Sequence, residues 1–558
     1  MTRTFVKSIV TARKDPPNEF LRKPVTLKRF WLFIILFSLL ILAPYVLADL
    51  QTPDELVFQG FLTNPVDGNT YLAKMYQGWK GDWQSTLPYT AEPGEGAYLF
   101  VFYLFLGHLA RWTGLSLILT FHLARWLSSL FLLWALYDFY RSMGLRDDTH
   151  AFALILSAFG AGMGWLVLVA GHFTADFWVA EAYPVLSAYT NPHFPLGLGL
   201  MLWSLRDDPL GLPPGNRTAL VTWFFKALAV LLLALVSPFG VVILLLVCGV
   251  RFAWYLLWLN RADPSEYKKL FLDNQQIRSE FLGLLLILVF GMPILVYDLL
   301  VAQLHPVLSA WNAQNLTPSP PLWDVWISFS PALILAVPAA WRRLRSTACK
   351  PDTLVIWLLT GFVLMYFPWS LQRRFMMGLF VPIAGLAVVG LQALAERIRL
   401  SQRFLFAALF LLSIPTPVII LLGGLHSVQT QDPILFLSAG EAECLSWIEV
   451  NTQHDALILA SPEMGLFIPA RTGRRVLYGH PFETAQAEQE LEIVRHLIQQ
   501  SGEFDQPAVA SQYLQQRGVA YLFWGAREAE LGRLPDWPGM TRVCEAGEVS
   551  LYQLQRDE

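Results

Sequence analysis

The chain reads as a polytopic α-helical membrane protein closed by a small C-terminal α/β domain, and three observations predict it. Of the 558 residues, 55% are hydrophobic and only 15% charged, where a water-soluble globule carries about a quarter charged residues; the mean hydropathy is +0.44. Most of the apolar residues gather in runs of about 17 to 25, the length that the hydrocarbon layer demands of a helix. From Leu425 onward the pattern changes to short apolar strands between polar helical stretches, as in a small α/β unit. A net charge of −3 gives no footprint for nucleic acid.

Residues 1–29 hold eight Lys or Arg and two acidic residues ahead of the apolar run Phe30–Leu47. No convincing cleavage site follows and the run is long for a signal peptide, so it is expected to be an uncleaved first span with its N-terminus in the cytoplasm. Residues 49–115 then form a first extracytoplasmic loop, far longer than a connector needs to be. Its segment AYLFVFYLFLGHLARW is interrupted by His108 and Arg111. Placing it at the outer interface, not across the bilayer, restores the positive-inside pattern of every later loop. With that choice the remaining runs give about eleven spans, range about 10 to 13, over residues 30–424. Residues 425–558 are then an extracytoplasmic α/β domain. In it, Cys444 and Cys544 either bond across the domain or stand as two buried thiols, and the four cysteines show no zinc-like spacing.

The polar residues of the outer loops are the candidates for chemistry. Asp67 precedes the helical run GNTYLAKMYQGW, where Tyr71, Met75 and Trp79 share a face. It reads either as a helix cap or as a general base presented by a rigid helix start. Glu92, in TAEPGEG, lies where the same loop returns to the membrane. The second outer loop, GHFTADFWVAEAYPVLSAYTNPHF, has no Lys or Arg and supplies Asp176, Glu181 and His193. These form either a solvated acidic rim or the second wall of a site. Arg373 and Arg374 break the positive-inside pattern at an outer membrane edge, where a lipid phosphate would satisfy two guanidinium groups and a solvated loop would serve as well. Arg125, beside His122, is either a further binding residue or half of an ion pair between helices.

The stretches NPVDGNTYLAKM, EPGEGAYLF, YTNPHFPLG and ASPEMGLFIPARTGRRVLYGHPFET, together with this layout, resemble the GT-C class of polyprenyl-phosphate-sugar-dependent membrane glycosyltransferases in bacteria. The resemblance implies an inverting enzyme of the plasma membrane that moves a sugar from a polyprenyl-phosphate donor to an extracytoplasmic glycan, lipid or protein. It implies Asp67 as the base, Glu92 as a further acidic residue of that loop, Asp176 or Glu181 as the second-loop acidic position, and Arg373 and Arg374 as the groups that hold the donor phosphate. The Asp-x-Asp pair of metal-dependent relatives is missing, so a requirement for Mg²⁺ or Mn²⁺ stays open and no metal ligand is assigned. Two other readings are a lipid or glycan transporter, or flippase, and a non-catalytic glycan-binding assembly protein. A transporter predicts internal symmetry and broken mid-membrane helices. No duplication is visible in the sequence.

Overall fold

The computed structural model describes residues 27–206, 217–259, 275–346 and 351–555. Nearly all of the basic segment 1–29, and Cys349, lie outside the described residues.

Among the described residues six helices are long and apolar enough to cross a membrane: Trp31–Leu50, Leu117–Ser142, Pro238–Leu257, Ile277–Leu304, Gln372–Ile398 and Gln402–Gln429. A seventh is counted if Leu322–Phe329 and Ala332–Arg345, set at 93° to each other, make one broken crossing. This overturns the expected eleven or so spans. Hydropathy along a sequence counts apolar residues, whereas a crossing needs them in one continuous helix. The apolar helices Asp148–Phe159, His193–Leu205, Leu220–Val236 and Thr353–Met365 have only 10–17 residues. At a rise of about 1.5 Å per residue such a helix falls short of the roughly 30 Å hydrocarbon layer. Within His193–Leu205 the side chains of Leu198, Met201, Leu202 and Leu205 are fully buried, so that run is apolar because protein surrounds it. The long helices instead present apolar side chains outward, with Trp31, Leu32, Ile35, Leu36 and Leu39 each more than half exposed. Such a stripe has no place in water and suits lipid. The protein is a multi-pass membrane protein.

The first loop is built from strand β1 (Leu56–Phe58), helix α1 (Pro65–Lys80) and helix α2 (Val101–Thr113). The two helices cross with their backbones in contact: a Cβ at Gly78 would lie 2.0 Å from the Leu104 carbonyl oxygen, and one at Gly107 would lie 1.9 Å from that of Met75. Only glycine at both positions permits this crossing.

The tail supplies β2 (Phe436–Ser438), β3 (Leu457–Leu459), helix α3 (Met464–Thr472), β4 (Arg475–Val476), β5 (Val519–Trp524), β6 (Met540–Ala546) and β7 (Val549–Leu554). Five of these strands form a mixed sheet in the order β4-β3-β5-β7-β6. β3 runs parallel to both β4 and β5, and β6 and β7 form the antiparallel edge. Strand pairing and helix packing both bind the tail to the first loop. β2 pairs antiparallel with β1, Val57 opposite Leu437. α3 packs on α1, so closely that a Cβ on Gly473 would meet the Tyr76 ring at 2.3 Å.

Candidate active site

The α1 helix starts at Pro65, with Asn64 as its cap residue in the left-handed region at φ 51°, a conformation Asn tolerates better than most residues. Asp67 therefore sits inside the first turn and does not cap the helix. There the free backbone N–H groups and the helix dipole favour a negative charge. Asn64 Nδ2 donates to Asp67 Oδ2 at 2.6 Å, and His480 Nε2 lies 3.7 Å from Oδ1. The carboxylate is deep among polar groups, yet its side chain is 39% exposed: it faces an open crevice. Burial pushes the carboxyl upward, but the polar His480 ring beside it, the hydrogen bond from Asn64 and the positive charge of Arg374 outweigh it. The net result is well below the usual carboxylate range.

Arg373 and Arg374 lie on the short turn Gln372–Met376 ahead of a long helix. Both point toward Glu181 Oε1, at 3.8 Å each, and the Arg373 guanidinium stacks over Trp178 with 4.9 Å to the ring centroid. The Gly378 N–H donates to the Glu181 carbonyl at 2.8 Å, which fixes the two segments against each other. At 3.8 Å the ion pairs are loose, and the buried atoms Glu181 Oε1 and Arg373 Nε make no hydrogen bond. Two cations thus share one carboxylate, leaving positive potential for an anion.

His193 stands behind this pair. Its Nδ1 is 2.6 Å from the Tyr103 hydroxyl, and Tyr103 stacks on Tyr71 with 4.2 Å between centroids. Burial, reinforced by the charge of Asp67, holds the Tyr71 phenol well above its ordinary range, and so protonated. Asp67, Glu181, His193 and Arg374 all act on one another or on Tyr71 electrostatically, so the fold brings together residues from the first loop, the second outer loop and the 373–374 turn.

Three other residues expected at the site stand elsewhere. Arg125 is completely buried and donates to the carbonyls of Ile41, Ala188 and Tyr189 at 3.0–3.2 Å, with its guanidinium over the Tyr45 ring. It cross-braces three helical segments. Asp176 is also fully buried. It accepts from Gly164 N, Thr174 Oγ1 and Thr416 Oγ1, with Ser328 Oγ at 3.3 Å, so its oxygens are filled by groups of its own loop and of neighbouring segments; burial raises its carboxyl above the ordinary value. Glu92 is exposed, on a segment tied to the tail by the bond from Arg475 Nη1 to Ala91 O.

Residues that sequence reasoning passed over complete the crevice. Lys74 Nζ bonds Glu483 Oε1 at 2.8 Å, both groups buried, with the ammonium 4.1 Å from the Phe100 ring centroid. Lys74 shares a face of α1 with Asp67 and Tyr71 by i, i+4, i+7 spacing, a signal present in the sequence. His480 and Glu483 had none, because their partners are in the first loop.

Among the described residues no three His, Cys, Asp or Glu side chains converge as a ligand set. Asp67 and Glu181 are instead engaged by His480 and by two arginines. This donor set does not fit a divalent cation.

No family model matches the chain, and no curated protein matches it. Among solved structures, the crystal structure of the Archaeoglobus fulgidus oligosaccharyltransferase tethered to an acceptor peptide is similar with a TM-score of 0.52 at 13% identity, over 89% of this chain and 69% of that one. The apo form of the same protein gives 0.51 at 13% identity, over 90% and 70%. The chain shares the fold of that archaeal oligosaccharyltransferase over most of its length.

Proposed function

We propose that the protein is a membrane glycosyltransferase that moves a sugar from a polyprenyl-phosphate donor to an extracytoplasmic acceptor with inversion at the anomeric carbon. The observation that carries this reading is the juxtaposition of an exposed, strongly ionised carboxylate, Asp67, with the incompletely paired cations Arg373 and Arg374. Shared fold with an oligosaccharyltransferase supports it. In this reading the N-terminus is cytoplasmic, the first loop and the tail face outside, and the donor enters sideways from the bilayer.

The acceptor hydroxyl attacks the anomeric carbon while Asp67 takes its proton; the bond from that carbon to the phosphate oxygen breaks, and the electron pair leaves with the polyprenyl phosphate. Arg373 and Arg374 bind the phosphate and stabilise its developing charge. Asp67 ionises well below neutrality, so it is a weak base whose proton uptake follows bond breaking, as suits a transition state in which the sugar carries most of the positive charge.

Replacing Asp67 with Asn keeps the side-chain shape and removes the base. Transfer from a labelled polyprenyl-phosphate sugar is expected to fall about 10²- to 10⁴-fold with donor binding retained. Unchanged turnover in folded protein would refute the assignment.

A further inference from the structure

The ring of His480 is 2% exposed and belongs to the tail, yet its Nε2 faces Asp67 Oδ1 across 3.7 Å. Its other nitrogen, Nδ1, accepts from the backbone N–H groups of Phe482 at 3.0 Å and Glu483 at 3.1 Å. Two donors aimed at Nδ1 put the ring proton on Nε2. That Nε2 is buried and makes no hydrogen bond, and a buried donor without a partner is costly.

The segment carrying the ring is tied down on every side. Glu483 is ion-paired with Lys74 on the same helix as Asp67. Gln314 Nε2 donates to the carbonyls of Phe482 and Thr484 at 3.2 and 2.6 Å, and Thr484 Oγ1 accepts from the N–H groups of Gly479 and His480. Such anchoring fits a group that must point one way.

We propose that His480 is a positioning residue: its Nε2–H holds the Asp67 carboxylate in the orientation and ionisation state in which it accepts the acceptor's proton. The inference rests on the reading of Asp67 as the base. The gap of 3.7 Å is longer than a hydrogen bond, and it closes when substrate binding tightens the crevice, as catalytic hydrogen bonds commonly do. The other groups that face the carboxylate are Asn64 from its own loop and Arg374 from the turn ahead of the long helix, both of which also favour the ionised form. Tyr71 on α1, with Glu181 and Glu483 beyond it, adds protonated or negative neighbours. Burial opposes ionisation, so removing the His480 contribution lets it count for more.

Two substitutions separate the ring's two nitrogens, and both are read in full-length detergent-solubilised protein as the ratio of the transfer rate at an acid pH on the falling limb of the parent's own profile to that at pH 7. His480→Asn keeps an oxygen that accepts from the two backbone N–H groups, as in an Asx-turn, but lacks the reach to Asp67. It is expected to lose about a further tenfold at that acid pH relative to pH 7, the effect of about one pH unit of displacement on an acid limb, beyond the fall that the parent shows. His480→Gln makes the complementary change, offering an amide N–H toward Asp67 and giving up the backbone contact. Its ratio is expected to follow the parent. An undisplaced ratio in the asparagine variant, or a displaced one in the glutamine variant, overturns the proposal, so either protein decides alone if the other does not fold. An inactive Asp67→Asn protein beside an unshifted His480→Asn profile would refute the positioning role only. An active Asp67→Asn protein would refute the base assignment beneath it.

Discussion

At the scale of single residues, loosely paired charges stand apart from charges that hold the fold. Arg374 meets Glu181 only at 3.8 Å and keeps capacity for a phosphate, whereas Arg125 spends its donors on three carbonyls. Arg374→Lys should weaken donor binding by about 1–3 kcal/mol, since an ammonium cannot make the paired bonds of a guanidinium; titration with polyprenyl phosphate measures it. Asp176→Ala takes the acceptor from three donors, Gly164 N, Thr174 Oγ1 and Thr416 Oγ1, and should lower stability by about 2 kcal/mol or more, seen as a fall in Tm. The folded pKa of Asp67 lies below its unfolded value, so its contribution to stability is present above about pH 4 and disappears as pH falls through the folded value. Between pH 5 and 8 thermal stability should therefore show no step from this group, a point checked by melting curves across that range. Asp67, Arg373 and Arg374 were legible as candidates, their roles being proposals, because each is a charge close to an apolar run. His480 was not: a lone histidine in the loop after β4 carries no mark of the carboxylate it faces.

The helices tell a different lesson. Apolar composition announced a membrane protein, and the strand pattern of the tail anticipated much of its sheet, but the number of crossings was misjudged. Runs such as Thr353–Met365 are as apolar as a span yet stop short, because the chain breaks its helices to bring the Arg373–Arg374 turn and the second loop into the molecule. Periodicity cannot report such a break when both flanks are equally greasy. The α1–α2 crossing was similarly silent in the sequence, since Gly78 and Gly107 give away their role only when the Leu104 and Met75 carbonyls are seen against them. Gly107→Ala should force the helices apart at a cost of about 1–3 kcal/mol. Because α1 carries Asp67, the same substitution should lower transfer more than its effect on Tm alone explains, and rate and melting point measured on one sample test this.

At the scale of the whole molecule, the tail is a structural part of the crevice. Its Glu483 pairs with Lys74, and Glu483→Ala would leave that ammonium buried without its partner, a change expected to cost about 3–5 kcal/mol and read as a fall in Tm. The tail also places Cys444 Sγ 2.7 Å from Cys544 Sγ. If this face lies outside the cytoplasm as proposed, the two should be found oxidised: denatured protein purified without reductant should show both of them protected from thiol-alkylating reagent and released by reduction. Free thiols at both positions would argue against that orientation.

The pairing of β1 with β2 joins the first loop to a segment that leaves the ribosome much later, and Lys74 meets Glu483 across a separation of 409 residues. Contacts this distant form late, so during synthesis Asp67 is already on the chain while its histidine and the ion pair that frames it do not yet exist. The crevice is in effect timed by translation: a nascent chain, however well inserted in the bilayer, holds an unfinished site until the tail has emerged and docked.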